Sequence, residues 1–285
     1  MKIGMTLPVM ERDLSRNILL DWMQKIDHGP WSSIALGERI VFHNPEFITL
    51  LGGVAAATNK TEIIATISVA TMHNPVLLAK QIATLDMLSE GRFTLGVGVG
   101  GREEDYLAIG ADYSKRRWAN VGENINTMKS IWAGEHNLHI GPKPYTSGGP
   151  QILAGALGPK ALEISSTFAD GIAGFSFNAD INEIKESFDL TKKFFKPNPR
   201  LITSFWFAIE PNGRVQLKSH LQTYLAWMGE EIAEMLSDSA GFCGSVSELK
   251  DFLEQISNIG ASDVLLVPTS KDVKQLKMLE EIIFQ

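Results

Sequence analysis

The most constraining feature of this chain is a regular alternation of short apolar segments with longer segments of helical periodicity. The apolar segments carry few polar residues on either face, which is typical of parallel strands buried on both sides of a sheet. Eight such segments occur, at residues 3–7, 33–36, 62–70, 93–99, 151–155, 170–175, 201–209 and 263–267. Over 285 residues, this alternation predicts an α/β fold, a closed (β/α)8 TIM barrel, with an open doubly wound sheet as the alternative.

Helical segments occupy the intervals between these strands. We expect them at residues 14–26, from 44, from 74, at 114–133, from 158, and at 181–195, 215–237, 246–259 and 273–284. Residues 134–150 are rich in Gly, Pro, His and Ser and match no helix, so we interpret them as an excursion, such as a small hairpin, across the site. No repeat, low-complexity tract or linker divides the chain, which predicts one domain over residues 1–285.

Composition and charge exclude several classes of partner. The formal net charge of −7 and the lack of a basic stripe argue against a nucleic-acid ligand. The single cysteine, Cys243, cannot form an internal disulfide and is typical of a reducing compartment. The first residues read as a strand that Pro8 ends, rather than as a signal peptide or a membrane span, so we expect a cytoplasmic protein.

The stretch from His73 to Tyr106 carries the strongest local pattern in the chain. Asn74 can cap a helix whose first position suits Pro75, and Gly91 supplies a left-handed stop. The period then changes from helical to alternating, which predicts a strand.

One face of that strand is bare glycine. The apolar residues Phe93, Leu95, Val97 and Val99 alternate with Gly96, Gly98 and Gly100. A glycine face lets a flat or bulky group approach the backbone, although the glycines could also only relieve crowding in a core. The spacing also satisfies G-x-G-x-x-G, but a dinucleotide site places its glycines in the turn after the strand, and no second strand ending in an acidic residue follows.

Three segments together resemble the bacterial-luciferase-like oxidoreductases. They are LLAKQIATLDMLSEGRFTLGVGVGGREEDYLAIG, ILAGALGPKALEISSTFADGIAGF and GASDVLLVP. The resemblance covers most of the chain, from residue 2 to about residue 279, and implies a (β/α)8 barrel that binds FMN or the deazaflavin coenzyme. The pattern is specific for fold and cofactor class and poorly specific for substrate.

The resemblance also implies where the cofactor is held. A phosphate would lie at the amino end of the helix that begins at Pro159, where backbone N–H groups are free. A cis peptide or bulge at Thr66–Ile67 or Ser68–Val69 would support one face of the ring. The expected cofactor-binding residues are Ile67, Ser68, Gly98, Gly100, Arg102, Gly155, Ala156, Leu157, Gly158, Gly174, Phe175 and Ser176. Without the resemblance, these positions would read as ordinary strands and a strand–helix joint.

Candidates for catalysis are Glu38, Arg39 and His73. Many relatives have a histidine after the acidic residue, but this chain has Arg39, which titrates too high to act as a general base. Arg39 could bind an anionic substrate or cofactor edge, or form a structural ion pair with Glu38. His73 could reach the ring or substrate, or it could be a surface or capping residue.

Other reactive groups match no recognised motif. His136 and His139 beside Glu135 do not have the spacing of a zinc site, so no metal is expected. Cys243 has no recognisable partner for a nucleophilic role. Glu103, beside Arg102 at the end of the glycine strand, could face the site or belong to a solvated charge cluster.

The favoured function is a flavin-dependent oxidoreductase, a monooxygenase, that acts on a small organic substrate. FMN is favoured over the deazaflavin coenzyme because the composition, which leans toward lysine and isoleucine, suggests a low-GC bacterium, where the deazaflavin is seldom made. Reduced flavin or a flavin reductase would be a partner, and the family implies a homodimer, with residues 52–58 as a contact surface.

The alternative is a non-catalytic flavin-binding protein. A phosphate-binding barrel lyase would need a lysine or metal cluster at the strand ends, which the sequence does not provide.

Overall fold

The computed structural model describes residues 1–285 as a closed barrel of parallel strands surrounded by helices. The strands are β1 (Lys2–Thr6), β2 (Ser33–Leu36), β3 (Glu62–Ala65), β4 (Ser68–Val69), β5 (Phe93–Gly98), β6 (Gln151–Ala154), β7 (Gly171–Ala173), β8 (Arg200–Ile209), β9 (Phe242–Gly244) and β10 (Asp263–Pro268). The barrel closes because β10 pairs with both β1 and β8. This confirms the predicted (β/α)8 TIM barrel and excludes the open sheet.

The ten strands give eight strand positions in the barrel. β3 and β4 share one position, interrupted at Thr66-Ile67, and both pair with β5. β9 pairs only with the far end of β8, outside the closed ring. The eight strands expected from the sequence therefore all occur, and β9 is an addition.

The helices lie between the strands along the chain. They are α1 (Arg16–His28), α2 (Phe47–Ala57), α3 (Pro75–Leu88), α4 (Glu103–Ala108), α5 (Trp118–Ala133), α6 (Pro159–Ser165), α7 (Ile181–Phe194), α8 (Gly213–Leu225), α9 (Glu230–Ser237), α10 (Val246–Asn258) and α11 (Lys274–Ile283). No helix combines the length and apolar character that a membrane crossing requires.

The chain forms two apolar layers on the two sides of the barrel wall. One large cluster lies between the strands and the helices, and it includes Phe93, Leu95 and Val97 of β5. A smaller cluster fills the barrel interior. Its buried members are Ala35, Ile64, Leu153, Ala173, Ile202 and Leu265. The interior is thus a packed core, so a ligand can be held only at one of the two ends.

The α3 boundaries follow the sequence signals closely. The Asn74 side chain accepts hydrogen bonds from the N–H groups of Val76 and Leu77, and Pro75 occupies the first turn. Gly91 has φ +80°, and its N–H bonds to the Asp86 carbonyl after the helix ends. Both predicted signals are confirmed.

The excursion at residues 134–150 is not where the sequence suggested. It contains no strand and packs against the end of α3 that faces the amino end of the barrel. The buried Asp86 carboxylate accepts hydrogen bonds from the Thr146 N–H, at 2.7 Å, and from the Thr146 hydroxyl, at 3.1 Å. The prediction that this segment lies across the site is wrong, because that carboxylate anchors it on the other side.

The chain between β8 and β10 also differs from the expectation of one helix over 215–237. Gly229 adopts φ +98°, which a helix cannot continue through, so α8 and α9 are separate helices. A 3-10 turn, Ala226–Met228, joins α8 to Gly229. We call residues 224–228 the capping segment, because Tyr224 at its start lines the opening of the barrel at the carboxyl ends of the strands. α4 was also not predicted, and α5 begins at Trp118 rather than at residue 114.

The amino end of the barrel is closed by a network of charged side chains centred on Arg200. Its guanidinium pairs with Asp263 through two hydrogen bonds of 2.9 and 2.8 Å and with Glu62 through bonds of 2.6 and 2.8 Å. Gln151 accepts a further bond at 2.8 Å. These contacts join β8, β10, β3 and β6, so the network ties four strands together where the barrel begins.

Candidate active site

The carboxyl-end mouth of the barrel contains a cavity of about 180 Å³. Its wall is largely apolar, with one cation and one carboxylate among the lining residues. These residues are Thr6, Leu7, Val9, Met10, Gly37, Glu38, Thr66, Ile67, Val69, Gly100, Arg102, Phe175, Ser204, Trp206, Tyr224, Val267 and Pro268. Sites in barrels of this kind lie at the carboxyl ends of the strands, so this mouth is the candidate active site.

The floor of the mouth is built around Ile67. The Thr66–Ile67 peptide is cis, at the first of the two bonds where a cis peptide or bulge was expected. A Cβ atom added to Gly98 would lie 2.0 Å from Ile67 Cδ1, and one added to Gly96 would lie 3.3 Å from Ile67 Cγ2. The bare glycine face of β5 therefore makes room for Ile67, and Ile67 rather than the glycines presents a surface to a ligand.

Other glycines contribute in the same way. A Cβ added to Gly155 would lie 3.0 Å from Ile67, and one added to Gly100 would lie 2.8 Å from Val69. Of the two β5-side glycines expected to contact the cofactor, only Gly100 lines the mouth, and Gly98 lies beneath Ile67.

Glu38 holds this floor in place from below. Its carboxylate accepts hydrogen bonds from the Val69 N–H at 2.7 Å and from the Ser68 hydroxyl at 3.3 Å, and its own N–H donates to the Ile67 carbonyl. Its other oxygen pairs with His73 Nε2 at 2.7 Å. Ser68 is fully buried by these contacts and does not line the mouth. Glu38 lines the mouth but has both oxygens engaged.

His73 and Glu38 form a partly buried pair that is charged when His73 is protonated. Burial lowers the pKa of His73, but the hydrogen bond to Glu38 and the charges of Glu38 and Glu46 outweigh it, so the pKa lies above its ordinary value. His73 itself lines a neighbouring groove, beside Asp112 and Asn124, and meets the mouth only through Glu38. This arrangement gives His73 the geometry of a group that positions Glu38.

Arg39 and Arg102 meet at Tyr224 of the capping segment. Arg39 donates to the Tyr224 carbonyl at 2.9 Å, and Arg102 donates to the Tyr224 hydroxyl at 2.9 Å. The Arg39 guanidinium also lies 3.9 Å from the centroid of the Phe42 ring, and that of Arg102 lies 5.2 Å from the Trp227 ring. The two arginines thus hold the capping segment at the mouth. Arg39 does not form the structural ion pair with Glu38 that was one interpretation of the sequence.

An aromatic wall reduces the size of the mouth. The ring centroids of Phe175 and Trp206 lie 4.5 Å apart, and those of Trp206 and Tyr224 lie 5.5 Å apart. Ligand pockets are commonly ~300–1,000 Å³, so a cavity of about 180 Å³ is small for a three-ring cofactor. Phe175 lines this cavity and is partly exposed.

The loop after β6 presents a row of backbone N–H groups with no acceptor. The N–H groups of Ala156, Leu157 and Gly158 make no hydrogen bond, and neither does that of Phe175. Gly158 has φ +82°, which a residue with a side chain rarely adopts, and no atom lies within 4 Å of where its Cβ would be. Successive free N–H groups of this kind suit an anionic oxygen group.

Other members of the expected cradle are already used within the protein. The N–H of Gly155 donates to Val97, that of Gly174 to Ile202 and that of Ser176 to Ser204. The Ser176 hydroxyl donates to Glu183 at 2.9 Å. Their contribution is therefore to shape the loop, and the free donors are those of residues 156–158 and 175.

Several mouth residues were missed in the sequence. Thr6 ends β1 with a buried hydroxyl that has no partner, and Trp206 and Tyr224 form the aromatic wall. The polar residue at the end of the first apolar strand was a usable signal for Thr6. Trp206 and Tyr224 gave none, because the first lies inside a uniformly apolar strand and the second in a segment that reads as an outer helix.

A larger cavity lies at the opposite end of the barrel. It has a volume of about 900 Å³ and is lined by residues that include Lys129, Lys192 and Arg200. Lys129 donates to the Phe168 carbonyl at 2.9 Å, and Arg200 is fully paired. We favour the smaller mouth, because the amino ends of barrel strands serve stability rather than chemistry.

Comparisons with known proteins define the class to which this chain belongs. The model of the luciferase-like monooxygenase family matches residues 19–260, so the chain belongs to that family. This confirms the resemblance drawn from the three sequence segments.

Curated relatives match over part of their length. The pyrimidine monooxygenase RutA of Acinetobacter baylyi is 30% identical over 155 residues, which are 49% of this chain and 41% of that protein. RutA of Serratia proteamaculans is 28% identical over the same length and the same shares. The matched region thus spans less than half of each of these relatives.

Solved structures share the whole fold at low identity. The monooxygenase RslO1 from Streptomyces bottropensis has a TM-score of 0.77 at 15% identity, over 100% of this chain and 99% of that one. An F420-dependent secondary alcohol dehydrogenase with an F420–acetone adduct has a TM-score of 0.78 at 15% identity, over 99% and 98%. The oxygenating constituent of a Pseudomonas putida diketocamphane monooxygenase, in complex with FMN, has a TM-score of 0.69 at 16% identity, over 98% and 96%. At these identities the likeness concerns the fold alone.

Proposed function

We propose that the chain is an oxidoreductase of the luciferase-like class that uses a flavin or deazaflavin cofactor at the carboxyl-end mouth. The observation that carries the proposal is the row of free N–H groups at residues 156–158 beside a mouth floored by Ile67. A phosphate would be held by those N–H groups, and the flat ring would lie against Ile67. The bound cofactor would supply the hydride transfer or oxygen activation.

The protein's own residues would bind, orient and shield. Glu38 fixes the loop that carries Ile67, and His73 keeps the Glu38 carboxylate oriented. Thr6 offers an unpartnered hydroxyl inside the cavity, which can bond a polar edge of a ligand. Phe175, Trp206 and Tyr224 exclude water on the outer side.

The present size of the mouth sets a requirement for this proposal. A three-ring cofactor needs more room than about 180 Å³, so Phe175 or the capping segment must shift when the ring binds. Phe175 is partly exposed, and Tyr224 is held by two hydrogen bonds to arginine side chains. These are the contacts that a bound ring would replace.

We favour FMN and keep the deazaflavin coenzyme as the alternative. The composition supports FMN, while structures of the same fold are described with each of the two cofactors. Absorbance and fluorescence titrations of the apo-protein with each cofactor would distinguish them, and failure of both to bind would contradict the proposal.

Two glycine variants locate the phosphate in the same titration. Gly158→Ala places a side chain at φ +82°, ψ 159° in the loop of free N–H groups, and Gly134→Ala places one at φ +78°, ψ 19° after α5. Each costs ~1–3 kcal/mol, more at Gly158 because its ψ is almost confined to glycine, and urea denaturation measures the loss of stability in each variant. We expect only Gly158→Ala to weaken cofactor binding beyond what this loss of stability explains.

A second candidate is a non-catalytic flavin-binding protein of the same fold. It is favoured by one observation, which is that Arg39 follows Glu38 and no free general base lines the mouth. Stopped-flow reoxidation of the reduced, cofactor-loaded protein would separate the two candidates. Reoxidation faster than that of free reduced FMN, or dependent on an added substrate, supports the enzyme, and reoxidation slower than that of free FMN supports storage.

We further propose that the chain forms a homodimer and that reduced flavin or a flavin reductase is its partner. A shallow apolar groove between α2 and α3 supports the dimer, because Leu77 and Leu88 are half exposed beside Gly52 there. Sedimentation velocity of the wild type and of Leu77→Glu tests it.

A further inference from the structure

The mouth contains an arginine with most of its hydrogen-bonding capacity unused. Arg102 is the only cation that lines the cavity, and its Nε–H is buried without a partner. Of its N–H groups, one bonds to the Tyr224 hydroxyl at 2.9 Å. Its nearest carboxylate oxygen, Asp105 Oδ2, is 3.8 Å from the guanidinium, which is longer than a hydrogen bond. Each guanidinium offers five N–H donors, so a strong acceptor is missing.

The one nearby carboxylate is already committed to other groups. Asp105 accepts hydrogen bonds from the N–H groups of Ile40 and Val41 at 3.1 and 2.7 Å. These bonds hold the loop after β2 against α4 and leave Asp105 a weak partner for Arg102. The other carboxylate at the mouth, Glu38, is paired with His73. Asp105 therefore offsets part of the Arg102 charge as an ion pair at 3.8 Å, and no carboxylate accepts a hydrogen bond from Arg102.

A second positive charge lies near Arg102, because both guanidiniums lie close to the Tyr224 ring. Arg39 is only 5% exposed, its Nε–H is buried without a partner, and its only hydrogen bond goes to the Tyr224 carbonyl. Burial and the charge of Arg102 lower the pKa of Arg39 to about 10. The two guanidiniums lie in one partly desolvated region, and each makes a single hydrogen bond, to Tyr224. Such a pair of cations attracts an anion.

The other residues that line the cavity indicate the polarity of the rest of the ligand. Leu7, Val9, Val69 and Val267 form an apolar wall beside Ile67, against which the cofactor ring would lie. A molecule that matches this wall and Arg102 together is apolar over most of its length and anionic at one end. A planar carboxylate accepts two parallel hydrogen bonds from a guanidinium, which the ammonium group of a lysine cannot provide.

We propose that the mouth binds a small apolar organic acid whose carboxylate pairs with Arg102, beside Arg39. The inference deepens the proposed function, because it names the substrate class of the same site and depends on that function only in calling the acid a substrate. The acid would use the N–H groups of Arg102 that have no partner, beside the one that bonds to the Tyr224 hydroxyl.

The test compares acids with their neutral amides on the full chain. Benzoate and phenylacetate, with benzamide and phenylacetamide as isosteric controls, are titrated by calorimetry into the apo-protein and the FMN-loaded protein. We expect each acid to bind at least about tenfold more tightly than its amide, and Arg102→Gln to abolish this preference. Equal affinity of acid and amide, or a preference that survives in Arg102→Gln, overturns the proposal.

Two further variants keep the result interpretable. Arg117→Gln removes the same charge from an exposed side chain that makes no hydrogen bond, and it should keep the preference. Arg102→Lys keeps the charge but cannot donate two parallel hydrogen bonds, so it should retain only part of the preference for acid over amide. Circular dichroism of each variant establishes that it is folded, and if Arg102→Gln is not, the Arg102→Lys result decides alone.

The same titrations distinguish a substrate carboxylate from a cofactor anion. Arg102→Gln should leave the affinities for FMN and for inorganic phosphate within about twofold of the wild type. If those affinities fall and benzoate does not bind, Arg102 serves the cofactor and the proposal is wrong. If the acids bind through Arg102 but neither FMN nor the deazaflavin binds, the proposed function fails and the acid site stands.

Discussion

Two places in this barrel hold buried arginines, and they differ in how completely each arginine is compensated. At the amino end, Arg200 bonds to two carboxylates, and their hydrogen bonds and charges outweigh burial and raise its pKa. At the carboxyl end, Arg39 and Arg102 make one hydrogen bond each, and burial together with their mutual repulsion lowers the pKa of Arg39. The same side chain is thus fully paired at one end and underpaired at the other.

The difference separates stability from binding. A guanidinium with all its partners in the protein has nothing left for a ligand, so Arg200 contributes to holding four strands together. A buried guanidinium without carboxylate partners costs stability, and such a cost persists where a ligand supplies the missing partner. The five predictions that follow start from this distinction.

The largest effect is expected at the amino end. Arg200→Met leaves Glu62 and Asp263 facing each other without a cation, so it should lower the free energy of unfolding by about 3–5 kcal/mol. Urea denaturation measures it. A loss below about 1 kcal/mol would mean that Arg200 is no more structural than the mouth arginines.

This loss should depend on pH. Burial raises the pKa of Glu62, but its bonds to Arg200 and Thr94 outweigh it and leave the pKa below the ordinary value. The stabilisation is therefore present above the unfolded pKa and is lost as the pH falls through the folded pKa. The deficit of Arg200→Met should shrink on acidification below pH ~4, and a deficit that grows would contradict the assignment.

The glycine strand beneath the mouth should show the next largest effect. A Cβ at Gly96 would lie 2.2 Å from the Ala65 carbonyl oxygen, which is backbone, whereas one at Gly98 would meet the movable end of Ile67. Gly96→Ala should cost about 3 kcal/mol and Gly98→Ala about 1 kcal/mol. Gly98→Ala should nevertheless weaken cofactor binding, because Ile67 must move into the mouth. Equal losses of stability in urea would contradict this order.

The Glu38 carboxylate at the mouth has a cationic partner in His73, unlike the two arginines there. The pKa of His73 is raised in the folded state, so its contribution is fully present below the unfolded pKa of about 6.5 and is lost as the pH rises through the folded pKa. His73→Gln should cost about 1.5 kcal/mol at pH 6 and less at pH 9. A difference in unfolding free energy that grows toward pH 9 would show that the imidazolium is not the stabilising form.

The smallest effect on stability is expected for Arg39→Met. Replacing an uncompensated buried cation by an apolar side chain of similar length should change the free energy of unfolding by no more than about 1 kcal/mol. The loss of the contact with Phe42 is included in that figure. If Arg39→Met is destabilised as much as Arg200→Met, the contrast between the two ends of the barrel is wrong.

The sequence predicted the barrel better than it predicted the mouth. Strand positions, the Asn74 cap and the Gly91 turn follow from local patterns, and all three are found. The contacts that shape the mouth join residues far apart in the chain, as in the pair of Glu38 and His73 and the bond from Arg39 to Tyr224. No window of the sequence contains both partners of such a contact.

The two misplaced segments have the same cause. The path of residues 134–150 is decided by Asp86, 60 positions before Thr146. The capping segment reads as part of an outer helix until Gly229 is known to adopt a positive φ. In both cases the structural role of one residue, Asp86 or Gly229, cannot be predicted from the strand or helix periodicity around it.

The most direct test of the account is a crystal structure of the chain with FMN. We expect the phosphate within hydrogen-bond distance of the N–H groups of residues 156–158, and the ring against Ile67 at the carboxyl-end mouth. FMN bound in the larger groove at the amino end, beside Lys192 and Arg200, would contradict the central claim that the underpaired end of this barrel is the one that binds ligands.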